Sequence, residues 1–167
     1  SVEKLDIDGL LVFTPKVFKD NRGYFFESYN QLNYAQIGFD RRFHQDNISR
    51  SSKNVIRGLH YQWSDKKQKT PAMGKLIQAV KGSLLDVVVD IREGSPTFGK
   101  HESILLSEKN AKQFWVPPGF AHGFVSLEDD TIAHYKCTSV YNSDSESGIN
   151  PLDPELGIDW GIDTESM

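Results

Sequence analysis

What most constrains the fold of this chain is the spacing of its apolar runs. Short stretches rich in β-branched and aromatic residues follow one another: "LLVFTP", "GYFFESY", "NVIRGLHYQ", "KLIQAVKG", "SLLDVVVDI", "HESILLS", "QFWVPPG", "AHGFVSL" and "TIAHYKCTSVY". Turn chemistry falls between them, in "DNRG", "VKGS", "EGSPTFG", "SEKN", "PPG" and "LEDD". Helical spacing occurs in "YNQLNYAQIG", where Leu32, Tyr34, Ala35 and Ile37 precede a stopping Gly38, and "SEKNAKQ" predicts one further short helical turn. Many strands without alternating helices predict an all-β sandwich or barrel, not a βαβ sheet. At 167 residues, with neither repeat nor linker, 1–167 reads as a single domain with a proper core.

Charge and cysteine content narrow the function classes. A net charge of −4 disfavours nucleic-acid binding through general electrostatics, while leaving room for a local basic pocket. Cys137 is the single cysteine, so no internal disulfide is expected and nothing argues for an oxidising compartment. No window reaches the roughly 18 apolar residues of a membrane span. "SVEKLDIDGL" lacks the apolar centre of a signal peptide, and the expectation is a soluble cytoplasmic protein.

Three stretches carry the candidate chemistry. In "LLDVVVDIR", alternation sets Leu85, Val87, Val89 and Ile91 on a core face. Asp86, Val88 and Asp90 take the other face, which suits a solvated surface or a polar cavity equally well. "RGLHYQ" brings Arg57 and His60 into one short run, either as a solvated strand end or as the wall of a cavity where an anion sits and a proton moves. In "WVPPGFAHGF", Pro117, Pro118 and Gly119 force a tight turn before His122. Pro-x-Gly-x-x-His resembles the second motif of cupins, the small jelly-roll barrels. Many cupins complete a metal site with a His-x-His pair, but here that position reads His60-Tyr61-Gln62. Two histidines fall short of the three or four ligands a transition metal needs, so no metal is expected and His60 is free to act as a base.

Together, "DNRGYFFESYN", "QDNISRS", "IRGLHYQ", "GKLI", "VVVDIREGSPTFGK", "LSEKNAKQFWVPPGFAHGF", "YKCTSVY" and "DPELGIDW" resemble the dTDP-4-dehydrorhamnose 3,5-epimerase family, in the family's order, from residue 10 to residue 160. The resemblance implies an all-β cupin jelly roll (a double-stranded β-helix) with an N-terminal strand arm and short peripheral helices, acting as a homodimer. It also implies a cofactor-free inversion at C3 and C5 of a nucleotide-linked 4-keto-6-deoxyhexose. Both carbons flank a ketone, so their protons leave if the enolate is stabilised. By this resemblance His60 is the base, Tyr135 returns a proton from the opposite face, and Lys75 sits beside the keto oxygen. Such a preorganised cation is worth about 3 kcal/mol or more. Arg57 would grip pyrophosphate, for which a rigid guanidinium is suited. Arg22, Glu27, Gln45, Asp46 and Asn47 would contact the nucleotide, Arg22 and Glu27 across a subunit boundary. His122 would lie by the sugar and Tyr141 would stack on thymine, with Glu146 completing the set.

The sequence departs from that pattern in three places. A lysine-rich insertion lengthens the segment 63–74 and suggests a lid or altered substrate choice. The family's Leu-Ser-x-Lys-Asp stretch, which supplies the carboxylate partner of the base, does not occur within the 167 residues. Asp86 is therefore the expected residue to orient His60 by favouring one imidazole tautomer and the protonated form. Pro151 stands where the family commonly has tryptophan. Competing readings are a C3-only or C5-only epimerase, a cupin 3,4-ketoisomerase, a metal-dependent cupin oxygenase, and a non-catalytic nucleotide-sugar-binding cupin.

Overall fold

The computed structural model describes residues 1–64 and 72–167. Most of the lysine-rich insertion therefore lies outside the described residues. Two antiparallel sheets hold the chain. The first runs in the order β1 (Val2–Lys4), β2 (Leu11–Phe13), β10 (Gln113–Val116), β7 (Lys75–Lys81), β12 (Thr131–Cys137) and β5 (Gln45–Ser51). The second runs β13 (Glu146–Gly148), β6 (Ile56–Gln62), β11 (Phe120–Ser126), β8 (Ser83–Asp90) and β9 (His101–Ser107). From β5 onward the chain passes back and forth between the sheets, apart from the β8–β9 hairpin. This is the winding of a cupin jelly roll, as the turn spacing and the Pro-x-Gly-x-x-His motif imply. A separate hairpin, β3 (Phe18–Asp20) with β4 (Gly23–Phe25), carries exposed Phe18, Tyr24 and Phe25. The N-terminal strand pairs with β2 of its own chain through Val2 and Phe13.

The sheets meet through Val12, Ile77, Phe114 and Ala133 of the first and Leu84, Val88, Phe120 and Phe124 of the second, all buried. The strand "LLDVVVDIR" is buried on both sides, which corrects the simple division into a core face and a polar face. Val87 and Val89 pack outside the sandwich with Leu59, Ala121, Val125 and Trp160, under a cover of Leu152, Leu156, Ile158 and Ile162. The indole of Trp160 donates to the carbonyl of Pro151 at 2.9 Å, tying down that cover. On the outer side of the first sheet, α1 (Gln31–Gln36) starts at Asn30, whose side chain accepts from the amides of Leu32 and Asn33. Tyr34 then stacks on Phe13 beside Phe39 and Trp115. "SEKNAKQ" forms a hydrogen-bonded turn instead of a helical one, because Asn110 and Ser107 bond each other's amides.

The strand that sequence patterning misses is β5. "QDNISRS" reads as a Ser/Asn-rich loop, yet it pairs along its whole length with β12 from Thr131↔Ser51 to Cys137↔Gln45. As the edge strand of the sheet it tolerates polar side chains on both faces.

Candidate active site

Arg57 and His60 are three residues apart and would point to opposite sides of an unbroken strand. They do not, because β6 carries a bulge. Across to β11, His60 faces His122 while Arg57 faces Phe124, so three steps on one strand match two on the other. The extra residue turns both side chains into the sandwich and leaves Leu59 buried in the outer cluster. Gly58 makes the bulge possible, with φ +121. A Cβ on Gly58 would meet the Cα of Gly123 at 2.6 Å and the carbonyl oxygen of His122 at 2.7 Å.

The mouth of the sandwich holds two connected clefts. One, of about 470 Å³, is lined by Arg57, His60, Lys75, His122 and Tyr135 together with Ser49, Ile56 and Phe124. The other, of about 330 Å³, is lined by Gln45, Asn47, Gln62, Met73, Tyr141 and Glu146. His60, Lys75 and Tyr135 belong to both. His60, on β6, comes from one sheet; Lys75, on β7, and Tyr135, on β12, come from the facing one. Lys75 and Tyr135 are diagonal neighbours, since Cys137 opposes Lys75 and Tyr135 opposes Ile77, and the lysine ammonium lies 5.8 Å from the tyrosine ring centre.

Burial sets the electrostatics. Desolvation lowers the Lys75 ammonium, against the pull of Cys137, Asp86 and Glu146. It raises the Tyr135 phenol, against a hydrogen bond from Asn47 and the charge of Arg57. It also pushes the Cys137 thiol up to about 11, which leaves that group protonated and inert at neutral pH. Arg57 is held by the Ser51 hydroxyl at 2.9 Å and the Arg50 carbonyl at 3.2 Å, without a carboxylate partner among the described residues. In the second cleft the Tyr141 hydroxyl donates to Glu146 at 2.5 Å, and the Tyr141 amide donates to Gln45 at 2.9 Å. Gln62 accepts from the Asn142 amide at 2.9 Å and bonds the Val140 carbonyl at 3.1 Å, so it shapes the loop carrying Tyr141. Among the described residues no group of three or more His, Cys, Asp or Glu side chains is placed to hold a metal ion.

The structure corrects two expectations, for Asp86 and Asp46, and leaves Arg22 and Glu27 away from the clefts of their own chain, as residues expected to act across a subunit boundary would be. Asp86 does not orient His60; both its oxygens take Nε2 of His122, at 2.9 and 2.8 Å. The register explains this, since Asp86 faces Phe124 on β11 and has His122 as its diagonal neighbour, with His60 one strand further away. His60 makes no side-chain hydrogen bond among the described residues. Asp46 is absent from both clefts, because strand alternation turns it to the outer side of β5, where Lys136 holds it at 2.9 Å. Arg22 and Glu27 lie in and beside the β3–β4 hairpin, paired with Asp20 at 2.6 Å and Asn33 at 2.9 Å, and line neither cleft of this chain. Conversely, Ser49 lines the larger cleft with its hydroxyl buried and unpartnered. Reading Gln45, Asn47 and Ser49 as the alternate positions of a strand would have found it.

Comparison with known proteins matches nearly the whole chain. A family model described as dTDP-4-dehydrorhamnose 3,5-epimerase matches residues 4–167. The dTDP-4-dehydrorhamnose 3,5-epimerase of Salmonella typhimurium is 47% identical over 160 residues, covering 95% of this chain and 85% of that protein. The crystal structure of a dTDP-6-deoxy-D-glucose-3,5-epimerase from Legionella pneumophila, in complex with dTDP-4-keto-L-rhamnose, superposes with a TM-score of 0.90 at 45% identity, covering 98% of this chain and 85% of that one. A 3'-monoepimerase from Streptomyces bikiniensis, in complex with dTDP-quinovose, superposes with a TM-score of 0.85 at 35% identity, covering 92% and 76%.

Proposed function

The chain belongs to the dTDP-4-dehydrorhamnose 3,5-epimerase family, and on that premise we propose how its residues carry out the reaction. It is an isomerase that converts dTDP-4-keto-6-deoxy-D-glucose to dTDP-4-keto-L-rhamnose by epimerisation at C3 and C5. His60 takes the proton from a carbon flanking the ketone, and the electron pair moves onto the C4 oxygen. Lys75 stabilises that oxyanion from the facing sheet, an interaction worth about 3 kcal/mol. Tyr135 delivers a proton to the other face of the sugar, and repeating the cycle at the second carbon completes the product. The single observation that carries this reading is the placement of His60 and Tyr135 on opposite sheets of one cleft. Inversion needs a base and an acid on opposite faces of a flat enolate, and a sugar lying between the sheets meets both.

Around that centre, Arg57 binds pyrophosphate and His122 contacts the sugar. Gln45, Asn47, Glu146 and Tyr141 hold the nucleotide, with the exposed Tyr141 ring available for stacking on the base. Arg22 and Glu27 reach the nucleotide only from a second copy. A homodimer that buries the exposed Phe18, Tyr24 and Phe25 of the hairpin would bring them there. No helix among the described residues is long and apolar enough to cross a membrane. The doubly charged substrate does not cross a bilayer unaided, which favours a cytoplasmic setting.

The test is an NMR assay of dTDP-4-keto-6-deoxyglucose in D₂O, with the unsubstituted chain and with His60→Ala. Deuterium at both C3 and C5, lost in the variant, is the expected result. The likeness to a 3'-monoepimerase gives the alternative weight: deuterium at one carbon only would make this chain a single epimerase. Binding without exchange would leave a non-catalytic nucleotide-sugar-binding cupin.

A further inference from the structure

We infer that Asp86 is a positioning residue of this reaction: buried behind the cleft-lining His122, it fixes the ring of His122 and supplies the counter-charge that keeps Lys75 an ammonium. The inference rests on the epimerase reading and extends it to a group that need not touch the sugar.

Three observations carry it. Asp86 is fully inaccessible, yet its only hydrogen-bond partner among the described residues is His122 Nε2, which is itself 6% exposed. A fully buried carboxylate with one imidazole partner is costly to keep charged, and a cation nearby lowers that cost. The second observation is that Lys75 is that cation. It hangs from the facing sheet into the cleft that His122 lines, and Asp86 and Lys75 each favour the other's charged form. The third is the ring's orientation. With Nε2–H committed to Asp86, Nδ1 of His122 has no partner among the described residues, and the ring lines the cleft. Nδ1 is therefore the ring atom left to hydrogen-bond a sugar hydroxyl.

The charge count in the cleft makes Asp86 decisive for Lys75. The groups facing that amine are Asp86 on β8, His122 on β11, Arg57 and His60 on β6, Tyr135 and Cys137 on β12, and Glu146 on β13. At neutral pH the thiol and the phenol are protonated, and burial raises both further. Glu146 is exposed and spent on the Tyr141 hydroxyl. Asp86 is left as the buried negative charge opposing desolvation of the amine. The sign follows. Lys75 works as an ammonium, so kcat falls as pH rises through its pKa, and losing Asp86 moves that limb to lower pH.

The experiment compares the unsubstituted chain with Asp86→Asn in two readouts. One is the pH profile of kcat and KM for dTDP-4-keto-6-deoxyglucose. The other, independent of turnover, is an NMR titration of ¹³Cε-labelled lysine, with Lys75 assigned through Lys75→Arg. The expected result is that in Asp86→Asn both the Lys75 titration and the alkaline limb of kcat move to lower pH by about one unit or more. KM should change less than kcat at pH 8. Unmoved titration and limb, with the unsubstituted enzyme active, overturn the role of Asp86. An inactive unsubstituted chain overturns the epimerase reading instead, while the lysine titration still decides the present one. Should Asp86→Asn not fold, the ¹³Cγ shift of Asp86 in the unsubstituted chain decides: an ionised carboxylate at pH 7 is required, and a protonated one overturns the proposal.

Discussion

Asp86 and Asp90 sit four residues apart on the inward face of one strand, both fully buried, and they do opposite work. Burial alone would raise Asp90, but Arg92 at 3.0 Å, Ser95 at 2.6 Å, Thr97 at 2.5 Å and the Arg92 amide together hold it well below the usual carboxylate range. Burial does raise Asp86, because a histidine and a more distant lysine offset less than that network does. At the closed end of the sandwich a satisfied carboxylate knots the loop after β8. At the open end an under-satisfied one is left beside a reactive cleft. Identical residues on identical strand positions are thus divided by what lies across from them.

The largest effect should come from the open end. His60→Ala is expected to lower kcat by roughly 10²–10⁴-fold, the usual worth of a positioned base. Because the side chain is exposed, its thermal midpoint should stay put in calorimetry. A folded variant retaining more than a tenth of the rate would move the base elsewhere.

Next is the bulge that joins the two ends. Gly58→Ala forces a Cβ into the Gly123 backbone at a positive φ, and should cost about 2–4 kcal/mol in urea unfolding. Activity should fall with it, since Arg57 and His60 lose their common face. An unchanged midpoint would mean the bulge relaxes freely.

At the closed end the pattern reverses. Asp90→Asn should destabilise the chain by about 2 kcal/mol, with kcat within a factor of about two of the unsubstituted value. Loss of activity without loss of stability would erase the distinction between the two carboxylates.

The smallest effect sharpens the comparison through pH. Asp90 is depressed on folding, so its contribution is present above its unfolded value near 3.9 and is lost as pH falls through the folded one. The stability gap between the unsubstituted chain and Asp90→Asn should therefore narrow below about pH 4. Asp86 is raised on folding, so its contribution is present at low pH and lost as pH rises through its folded value. Relative to Asp86→Asn, the unsubstituted chain should gain stability as pH falls. Denaturant midpoints at pH 3 and pH 7 would reveal both trends, and parallel trends would contradict the assignment.

Much of the site was legible before any fold was known. Arg57, His60, Lys75, His122 and Tyr135 converge on one cleft, and the turn residues Pro117, Pro118 and Gly119 announced the strand that carries His122. Asp46 misled because its neighbours Gln45 and Asn47 do enter the cleft, and only recognition of β5 as a strand separates odd from even positions. A polar edge strand has no apolar alternation to announce it. Arg22 and Glu27 were placed by resemblance to a nucleotide site that a single chain does not bring to them.

The amino-acid sequence by itself determined the all-β architecture, the chemical types in the cleft and the motif that seats His122, because turn chemistry and side-chain type are local properties. Tertiary structure decided which carboxylate meets which base. The bulge at Gly58 and the register of β8 on β11 hand Asp86 to His122, leaving His60 without a carboxylate partner among the described residues. Strand register is a relation between segments far apart in the chain, fixed by the packing of both sheets at once, and no local pattern encodes it.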